Sequence, residues 1–340
     1  MKGKAPRIRR QKMDKRLLAT VDIGSHSCIL LIAAFEPAES STALRHPREG
    51  EDPLAVAQVS ADENTSTAET EGAEPRKILV PKLQKVEICR LGEDIYDSGR
   101  ISEEKIQDLC RIMTKFRMDL HALGVELKAA AMTEAMRRAE NQEEVLDAVE
   151  KALWMRPRII SGEEEAALTY RSVKEWHGEG IVTIDIGGGS TEISNGATGF
   201  SIPVGALKMF KAMGPIPGPE YKKFVKETFK EVSFKGMTKK PVYLIGGTGT
   251  ALAMVFKNLS QFDYKAIEGL EMSIADLEAV TTRISNLSKE LRAMLPGLEN
   301  GRSDVIICGL FWLRSLLEKL RVETFRISTA GLRFGLLYEN

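Results

Sequence analysis

The sequence predicts an α/β fold made of two similar lobes that face each other, and two observations carry this prediction. Short apolar strands alternate with helices of amphipathic spacing, a pattern typical of α/β proteins. The segment TVDIG at residues 20–24 also recurs as TIDIG at residues 183–187, and each copy opens a turn rich in Gly and Ser. Such an internal echo indicates a duplicated unit, so we expect two lobes around one cleft.

The first lobe is expected to span residues 17–160. A strand leads into the first Gly/Ser turn, and Ser102 is placed to cap a helix. The alternating segment 125–131 and the segment 158–160 are predicted strands, with a short helix between them. Apolar residues at intervals of three and four define the buried face of the capped helix, namely Ile106, Leu109, Met113, Phe116 and Leu120.

The second lobe is expected to span residues 161–340 and to repeat this arrangement. A helix begins near Gly162, and apolar runs at 181–186 and 242–245 predict strands. Helices follow through the 260s to the 290s. A last helix at 304–320 precedes a strand at 322–328.

Two segments are not expected to become ordered. Residues 1–16 carry eight Lys or Arg side chains and are predicted to form a basic, disordered tail. Residues 36–77 are acidic, rich in Ala, Ser, Thr and Pro, and contain no aromatic side chain. Because they cannot bury enough apolar surface to fold, we predict a disordered acidic insertion.

Composition and cysteine usage narrow the class of protein. The 48 basic and 48 acidic side chains cancel, which argues against a general polyelectrolyte binder. The four cysteines lie far apart, which indicates a reducing compartment rather than disulfides or zinc. The apolar run 17–35 holds Asp22 and His26 in its middle, and a charge inside a membrane is costly. We therefore expect a cytoplasmic protein that binds neither membrane nor nucleic acid.

Residues 185–192 (DIGGGSTE) carry the strongest functional signal. Three successive glycines let backbone N–H groups converge on an anion without a Cβ in the way, and two hydroxyl side chains add donors. Asp185 and Glu192 flank the turn with carboxylates that suit Mg²⁺, or Mn²⁺, at a phosphate. A simple hairpin needs fewer glycines, so phosphate binding is favoured, with the expected contacts at Gly187, Gly188, Gly189, Ser190 and Thr191.

Residues 22–27 (DIGSHS) form a weaker copy of this turn. Alone, the segment fits a strand turn with capping serines equally well, but the internal echo favours a second set of phosphate contacts. Residues 245–252 (IGGTGTAL) add a third glycine turn before a helix, without the Walker or dinucleotide-binding order. The residues expected to contact phosphate from these turns and nearby are Asp22, Gly24, Ser25, His26, Ser27, Gly247, Thr248, Lys208 and Arg333.

Residues 161–170 (SGEEEAALTY) predict a helix start, because Ser161 and Glu164 have capping-box spacing. Acidic residues in a first turn complement the helix dipole, yet one carboxylate near a phosphate could orient an attacking water. The pattern alone does not choose among the three glutamates. Arg137 and Arg138 point to different faces of a helix, so at most one should reach the cleft. No GxSxG elbow accompanies the histidines, which argues against Ser-His catalysis.

In chain order, these motifs resemble the exopolyphosphatase/guanosine pentaphosphate phosphohydrolase family of the actin, sugar kinase and Hsp70 superfamily. The resemblance runs from about residue 18 to 339, interrupted by the acidic insertion, and implies a short form with two ribonuclease-H-like lobes and a central cleft. Its eight motifs are DIGSHS, LGEDIYDSG (91–99), TEAMRRAEN (133–141), ISGEEEA (160–166), DIGGGSTE, IPVGALKM (202–209), IGGTGTALA and the segment 302–333.

The resemblance also implies roles for single residues. The family's catalytic carboxylate falls on Glu165, which would polarise the attacking water, and its cleft arginine falls on Arg137. Asp185 and Glu192 match its Mg²⁺-associated acids. The chain departs from the family pattern at His26, where Asn is usual, and at residues 29 and 329–330.

The function implied is release of terminal phosphate from inorganic polyphosphate, from pppGpp to give ppGpp, or from both. One alternative is a catalytically weakened sensor that binds (p)ppGpp or polyphosphate, which the departure at His26 motivates. Another is a kinase of the same superfamily, which the SGEEEA motif disfavours. The oligomeric state stays open, with a homodimer as one option.

Overall fold

The computed structural model describes residues 16–37, 77–298 and 301–339, and its framework is two β-sheets with helices packed on them. The predicted tail at 1–16 and insertion at 36–77 lie almost wholly outside the described residues. Of the insertion, only Glu36, Pro37 and Lys77 are described, and they lie in strands. The helices lack the length and apolarity needed to cross a bilayer, as far as the described ranges go.

The first sheet has five strands in the order β3-β2-β1-β4-β5. These strands are β1 (Leu18–Ile23), β2 (Ser27–Pro37), β3 (Lys77–Ile88), β4 (Glu126–Met132) and β5 (Arg158–Ile159). Its helices are α1 (Leu91–Ser98), α2 (Glu103–Leu123), α3 (Glu134–Arg138) and α4 (Gln142–Leu153). Helix α2 begins as predicted, since the Ser102 side chain accepts the Lys105 N–H, and the five predicted apolar residues are its buried ones.

The second sheet has six strands in the order β10-β11-β9-β6-β7-β8. They are β6 (Val182–Ile186), β7 (Thr191–Ser194), β8 (Gly199–Ile202), β9 (Val242–Ile245), β10 (Glu271–Ser273) and β11 (Thr324–Ile327). The accompanying helices are α5 (Gly162–His177), α6 (Ala206–Met213), α7 (Tyr221–Lys230), α8 (Gly246–Lys257), α9 (Tyr264–Ile267), α10 (Ile274–Ser285), α11 (Lys289–Ala293), α12 (Ile306–Leu320) and α13 (Leu332–Tyr338).

The two sheets share one plan. Each starts with an antiparallel meander, β1-β2-β3 or β6-β7-β8, and continues from its first strand through parallel neighbours, β4-β5 or β9-β11. The glycine turns match as well, since Gly24 N donates to Ser27 O (2.9 Å) and Gly187 N donates to Ser190 O (3.0 Å). The duplication inferred from the repeated pentapeptide therefore extends to strand order and turn geometry.

Helix α13 packs against elements of both lobes. It packs against α5 and also against β1 and β4 of the first sheet. Leu332 and Leu336 share a buried cluster with Ala131 of β4, and the Thr20 hydroxyl donates to the Arg333 carbonyl oxygen (2.8 Å). A lobe boundary at residue 160 stays a prediction, because α13 contacts elements on both sides of it.

Candidate active site

A cleft lies between the two sheets, and both duplicated turns line it. Residues 22 and 24–27 approach from the first sheet, while 185–190 and 246–248 approach from the second. The enclosed part measures about 90 Å³, which is room for several waters. The described structure thus brings the turns at Gly24 and Gly187 to one cavity, as the two-lobe prediction requires.

The second lobe supplies two carboxylates side by side, the half-buried Asp185 and the buried Glu192. Asp185 and Glu192 are direct partners in the β6–β7 hairpin, so both side chains lie on the same face of the sheet. Ser201 Oγ donates to Glu192 Oε1 (2.7 Å). Burial raises the pKa of Asp185 to about 6 against the opposing effect of Arg333, and burial raises the pKa of Glu192 to about 7.

The first lobe supplies one carboxylate at the matching position. Asp22 pairs with Ile29 in the β1–β2 hairpin, so an apolar side chain stands where the second lobe has its glutamate. Burial raises the pKa of Asp22 to about 7, while nearby Arg333 lowers it and Asp185 raises it further. The duplicated hairpins therefore contribute unequal charge to the cleft.

Arg333 is a buried cation whose charge acts on carboxylates of both lobes. Its guanidinium donates to the Thr329 carbonyl oxygen (2.8 Å) and to Gln84 Oε1 (3.1 Å). Its charge acts on Asp22 and Asp185 together. Helix α13 thus delivers the positive charge expected at residue 333 to the cleft.

The acid set fits a partly hydrated divalent cation. Within the described ranges, no three His, Cys, Asp or Glu side chains form a complete cage. Mg²⁺, however, usually binds one or two carboxylates, keeps several waters and adds substrate phosphates. Asp185 and Glu192 meet that requirement, and their raised pKa values reflect burial that positive charge does not fully offset.

Glu165 is the glutamate of the SGEEEA segment that reaches the cleft. Helix α5 begins at Ser161, whose side chain accepts the Glu164 N–H (3.1 Å). Glu163 is exposed and Glu164 pairs with Arg158 (3.2 Å), whereas Glu165 is buried and lines the cavity. Of the three glutamates, Glu165 is therefore the one whose carboxylate lies at the cavity, and its catalytic role stays a prediction.

Arg137 holds the Glu165 carboxylate in place. Its Nη1 donates to Glu165 Oε2 and to the Ile160 carbonyl oxygen, both at 2.9 Å, and its Nη2 lies 3.7 Å from Glu192 Oε1. Burial, followed by the charge of Glu192, raises the pKa of Glu165, and Arg137 opposes this shift. Arg138 does not line the cavity, and its Nε lies 3.6 Å from Glu134 Oε1.

Glu134 is a cleft residue that sequence reasoning missed. Its Oε2 accepts hydrogen bonds from Ser25 Oγ (2.9 Å) and from the Tyr96 hydroxyl (3.1 Å). Ser25 Oγ also accepts the Ala135 N–H (3.0 Å) and so caps α3 in place of Thr133. The hydroxyl of Ser25, a residue that lines the cavity, is therefore engaged by Glu134 here, and its contact with phosphate stays a prediction.

Two other expected phosphate contacts lie away from the cavity lining. Thr191 Oγ1 donates to the Val204 carbonyl oxygen (2.6 Å) and accepts from Trp312 (2.9 Å), because its side chain faces the second-lobe core. The Lys208 ammonium donates to the Pro203 carbonyl oxygen, and only its backbone N–H, bonded to Gly188 O (3.0 Å), approaches the glycine turn. Neither residue lines the cavity as folded, and contact of the two with phosphate stays a prediction.

At two positions in the cleft, a carboxylate lies so close to the backbone that only glycine fits. A Cβ on Gly189 would lie 2.0 Å from Glu134 Oε2, and one on Gly246 would lie 2.1 Å from Asp185 Oδ1. Gly246 also has a φ of 78°, a conformation that side chains disfavour. The glycines therefore let Glu134 approach the turn of the opposing lobe and Asp185 approach a neighbouring turn of its own lobe.

His26 lines the cleft over Gly188, with both ring nitrogens buried and without a hydrogen-bond partner among the described residues. Burial, then the charges of Arg302, Arg90 and Lys105, lowers its pKa to about 3, so the imidazole is neutral.

We predict that His26→Asn matches or exceeds the wild-type rate of phosphate release, because no protein hydrogen bond is lost. Steady-state kinetics would check this, with a thermal melt to control for folding. A large loss of rate would show that the imidazole itself takes part.

Comparison with known proteins places this geometry in context. The model of the Ppx/GppA phosphatase family matches residues 73–340. Exopolyphosphatase 1 of Mycobacterium leprae is 27% identical over 267 residues, which cover 73% of this chain and 78% of that protein.

Solved structures agree on the fold. The Aquifex aeolicus PPX-GPPA enzyme superposes with a TM-score of 0.68 at 23% identity, covering 96% of this chain and 99% of that one. An exopolyphosphatase from Cytophaga hutchinsonii superposes with a TM-score of 0.73 at 18% identity, and the match covers 95% of this chain and 97% of that one. The predicted fold of two ribonuclease-H-like lobes around a central cleft is confirmed.

Proposed function

We propose, from the premise that the chain belongs to the Ppx/GppA phosphatase family, that it releases terminal phosphate from inorganic polyphosphate. The observation that carries this proposal is the ion pair between the buried Glu165 and the half-buried Arg137, beside two glycine turns and four further acids that line one cleft, Asp22, Glu134, Asp185 and Glu192. The relative from M. leprae bears the name exopolyphosphatase, which supports the same substrate. We place the reaction in the cytoplasm, in keeping with the four free thiols.

The chain's own groups account for most of the chemistry. Backbone N–H groups of the two glycine turns and the Arg333 guanidinium would bind phosphoryl oxygens. The Glu165 carboxylate, oriented by Arg137, would accept a proton from a water molecule. The oxygen of that water would then bond to the terminal phosphorus while the anhydride P–O bond breaks. Bound Mg²⁺, held by Asp185 and Glu192, would neutralise charge on the phosphoryl oxygens.

Phosphate release from long-chain polyphosphate, pppGpp and ATP, each with Mg²⁺ and with EDTA, tests this function. We expect release from polyphosphate with Mg²⁺ and loss of that release with EDTA. Tight binding of polyphosphate or (p)ppGpp without turnover of any substrate would instead support the sensor alternative.

A second substrate, pppGpp, is favoured by a chamber of about 230 Å³ with both apolar and polar walls that adjoins the cleft. The chamber shares Arg302 and Arg333 with the cleft, while Val86, Met254 and Phe262 add apolar walls. A phosphate chain carrying a flat base could place its phosphates in the cleft and its base here.

We predict that Phe262→Ala raises KM for pppGpp several-fold and leaves KM for polyphosphate unchanged, because only the nucleotide would contact this ring. Parallel kinetics with both substrates would check this. Equal effects on the two substrates would argue against a base in the chamber.

Three acids of the cleft predict how stability depends on pH. The folded-state pKa values of Asp22, Asp185 and Glu192 are about 7, 6 and 7, all above their ordinary values. The folded protein thus binds these protons more tightly than the unfolded chain, so their stabilising effect is full below about pH 4 and is lost as pH rises through 6 to 7. In EDTA we expect a higher Tm near pH 5.5 than near pH 8.

Mg²⁺ should act in the opposite direction, because it binds ionised carboxylates. We expect Mg²⁺ to raise Tm more near pH 8 than near pH 5.5, as measured by thermal melts. Asp185→Asn, which has one acid fewer, should show a smaller pH effect; an unchanged effect would mean that other groups cause it.

A further inference from the structure

A second concave surface lies on the second lobe, formed by α7, the segment 232–238 and the C-terminal half of α12. We call it the basic groove, because five cations line it: Lys222, Lys226, Lys235, Lys319 and Arg321. Its volume is about 820 Å³, and none of its lining residues belongs to the catalytic cleft.

The charge of the basic groove is not neutralised locally. Glu318 is its single acidic lining residue, and that carboxylate lies 3.6 Å from Arg314, a cation outside the groove. In the part of the chain that the structure describes, Lys222, Lys226 and Lys235 form no ion pair. In a chain whose charges sum to zero, such a cluster repels itself and attracts an anion of several charges.

The aromatic floor of the groove positions one of these cations. Lys319 Nζ lies 5.6 Å from the ring centroid of Phe229 and 5.8 Å from that of Phe234. Cation–π attraction of this kind holds the ammonium at the groove wall. The two rings meet edge to face with centroids 5.4 Å apart, so they pack on each other and are not arranged as open stacking platforms for bases.

Helix α12 connects the basic groove to the cleft. Ile306, its first residue, lines the cleft, whereas Ser315 and Lys319 line the groove. Position 319 lies 13 residues after position 306 along the helix, so the two positions are about 20 Å apart at a rise of 1.5 Å per residue. A single small anion therefore cannot occupy both places, but a flexible polyanion can.

We propose that the basic groove binds a second stretch of a long inorganic polyphosphate chain whose end lies in the cleft. This inference rests on the proposed function. Binding at two linked places makes the second contact intramolecular, so the chain is retained between successive cleavages without any change in the chemistry of the cleft.

The test compares two double charge reversals of equal size in the full chain. Lys226→Glu with Lys319→Glu alters the groove, while Lys257→Glu with Lys265→Glu alters exposed lysines of the same lobe that line neither the groove nor the cleft. Long-chain polyphosphate and tripolyphosphate serve as ligands and substrates. Affinity is measured by titration at two salt concentrations, and phosphate release by steady-state kinetics.

We expect the groove variant to bind long-chain polyphosphate about tenfold more weakly, with a shallower salt dependence, and to process tripolyphosphate like the wild type. The control variant should change neither. Equal losses in both variants, no binding of long chains by the wild type, or tighter binding of single-stranded RNA than of polyphosphate at the groove would overturn the inference. If the wild type binds long chains through the groove but hydrolyses neither substrate, the proposed function fails and the binding site stands.

Discussion

Glu165→Gln is expected to lower the rate of phosphate release more than about 100-fold, the scale on which a catalytic base acts. The amide keeps the volume of the side chain, and its oxygen can still accept the Arg137 hydrogen bond that now measures 2.9 Å. Folding and substrate binding should persist, because what is removed is the ability to take a proton. The loss should therefore appear in kcat, with KM nearly constant.

Glu163→Gln is the matched control for this change. Residue 163 lies in the same first turn of α5 but is exposed and outside the cleft, so its rate should equal that of the wild type. Turnover in Glu165→Gln within a few-fold of the wild type would remove Glu165 from the mechanism. An equal loss in both variants would point to a damaged helix.

Asp185→Asn is expected to reduce activity about 100-fold or more and to abolish the stabilisation by Mg²⁺, because metal ions supply several kcal/mol of charge stabilisation in such reactions. Asp185 lines the cleft beside Glu192 and close to Arg333. Removing its charge leaves one carboxylate in the second-lobe pair. Activity measured against Mg²⁺ concentration, together with thermal melts, checks both effects.

Asp22→Asn is the informative comparison, because Asp22 occupies the same hairpin position in the first lobe but faces Ile29. We expect it to weaken substrate binding with a smaller change in the Mg²⁺ requirement. Asp147→Asn, at an exposed ion pair, should affect neither activity nor Mg²⁺ binding. Identical Mg²⁺ profiles for Asp185→Asn and the wild type would contradict the metal assignment.

Much of the fold follows from local sequence signals. The Ser102 cap and the apolar spacing of α2 are local features, so they could be recognised without knowledge of the rest of the chain. The repeat at residues 20–24 and 183–187 extends this to tertiary structure, because two copies of one strand–turn unit build sheets of the same order. Several elements were not predicted, among them α1, β7, β8 and α13, the last of which packs against the first sheet and against α5.

Side-chain roles in the cleft were harder to predict, because they depend on residues distant in sequence. The Ser25 hydroxyl caps a helix that begins at residue 134, and the Thr191 hydroxyl meets Trp312 in the core. Neither partner is visible from the motif that contains the hydroxyl. In the sequence, Glu134 looks like an ordinary acidic residue in the first turn of a helix. Only its burial and its hydrogen bond with Tyr96 in the structure identify it as part of the cleft.

The position of α13 has a consequence for biosynthesis. Residues 332–338 complete the hydrophobic cover over β1 and β4, about 200 to 310 positions after those strands have left the ribosome. Contacts so distant along the chain carry a large loop-closure entropy and slow the search for the native state. The first sheet therefore stays partly uncovered until translation has passed residue 338. During that interval its exposed apolar surface is a binding site for chaperones.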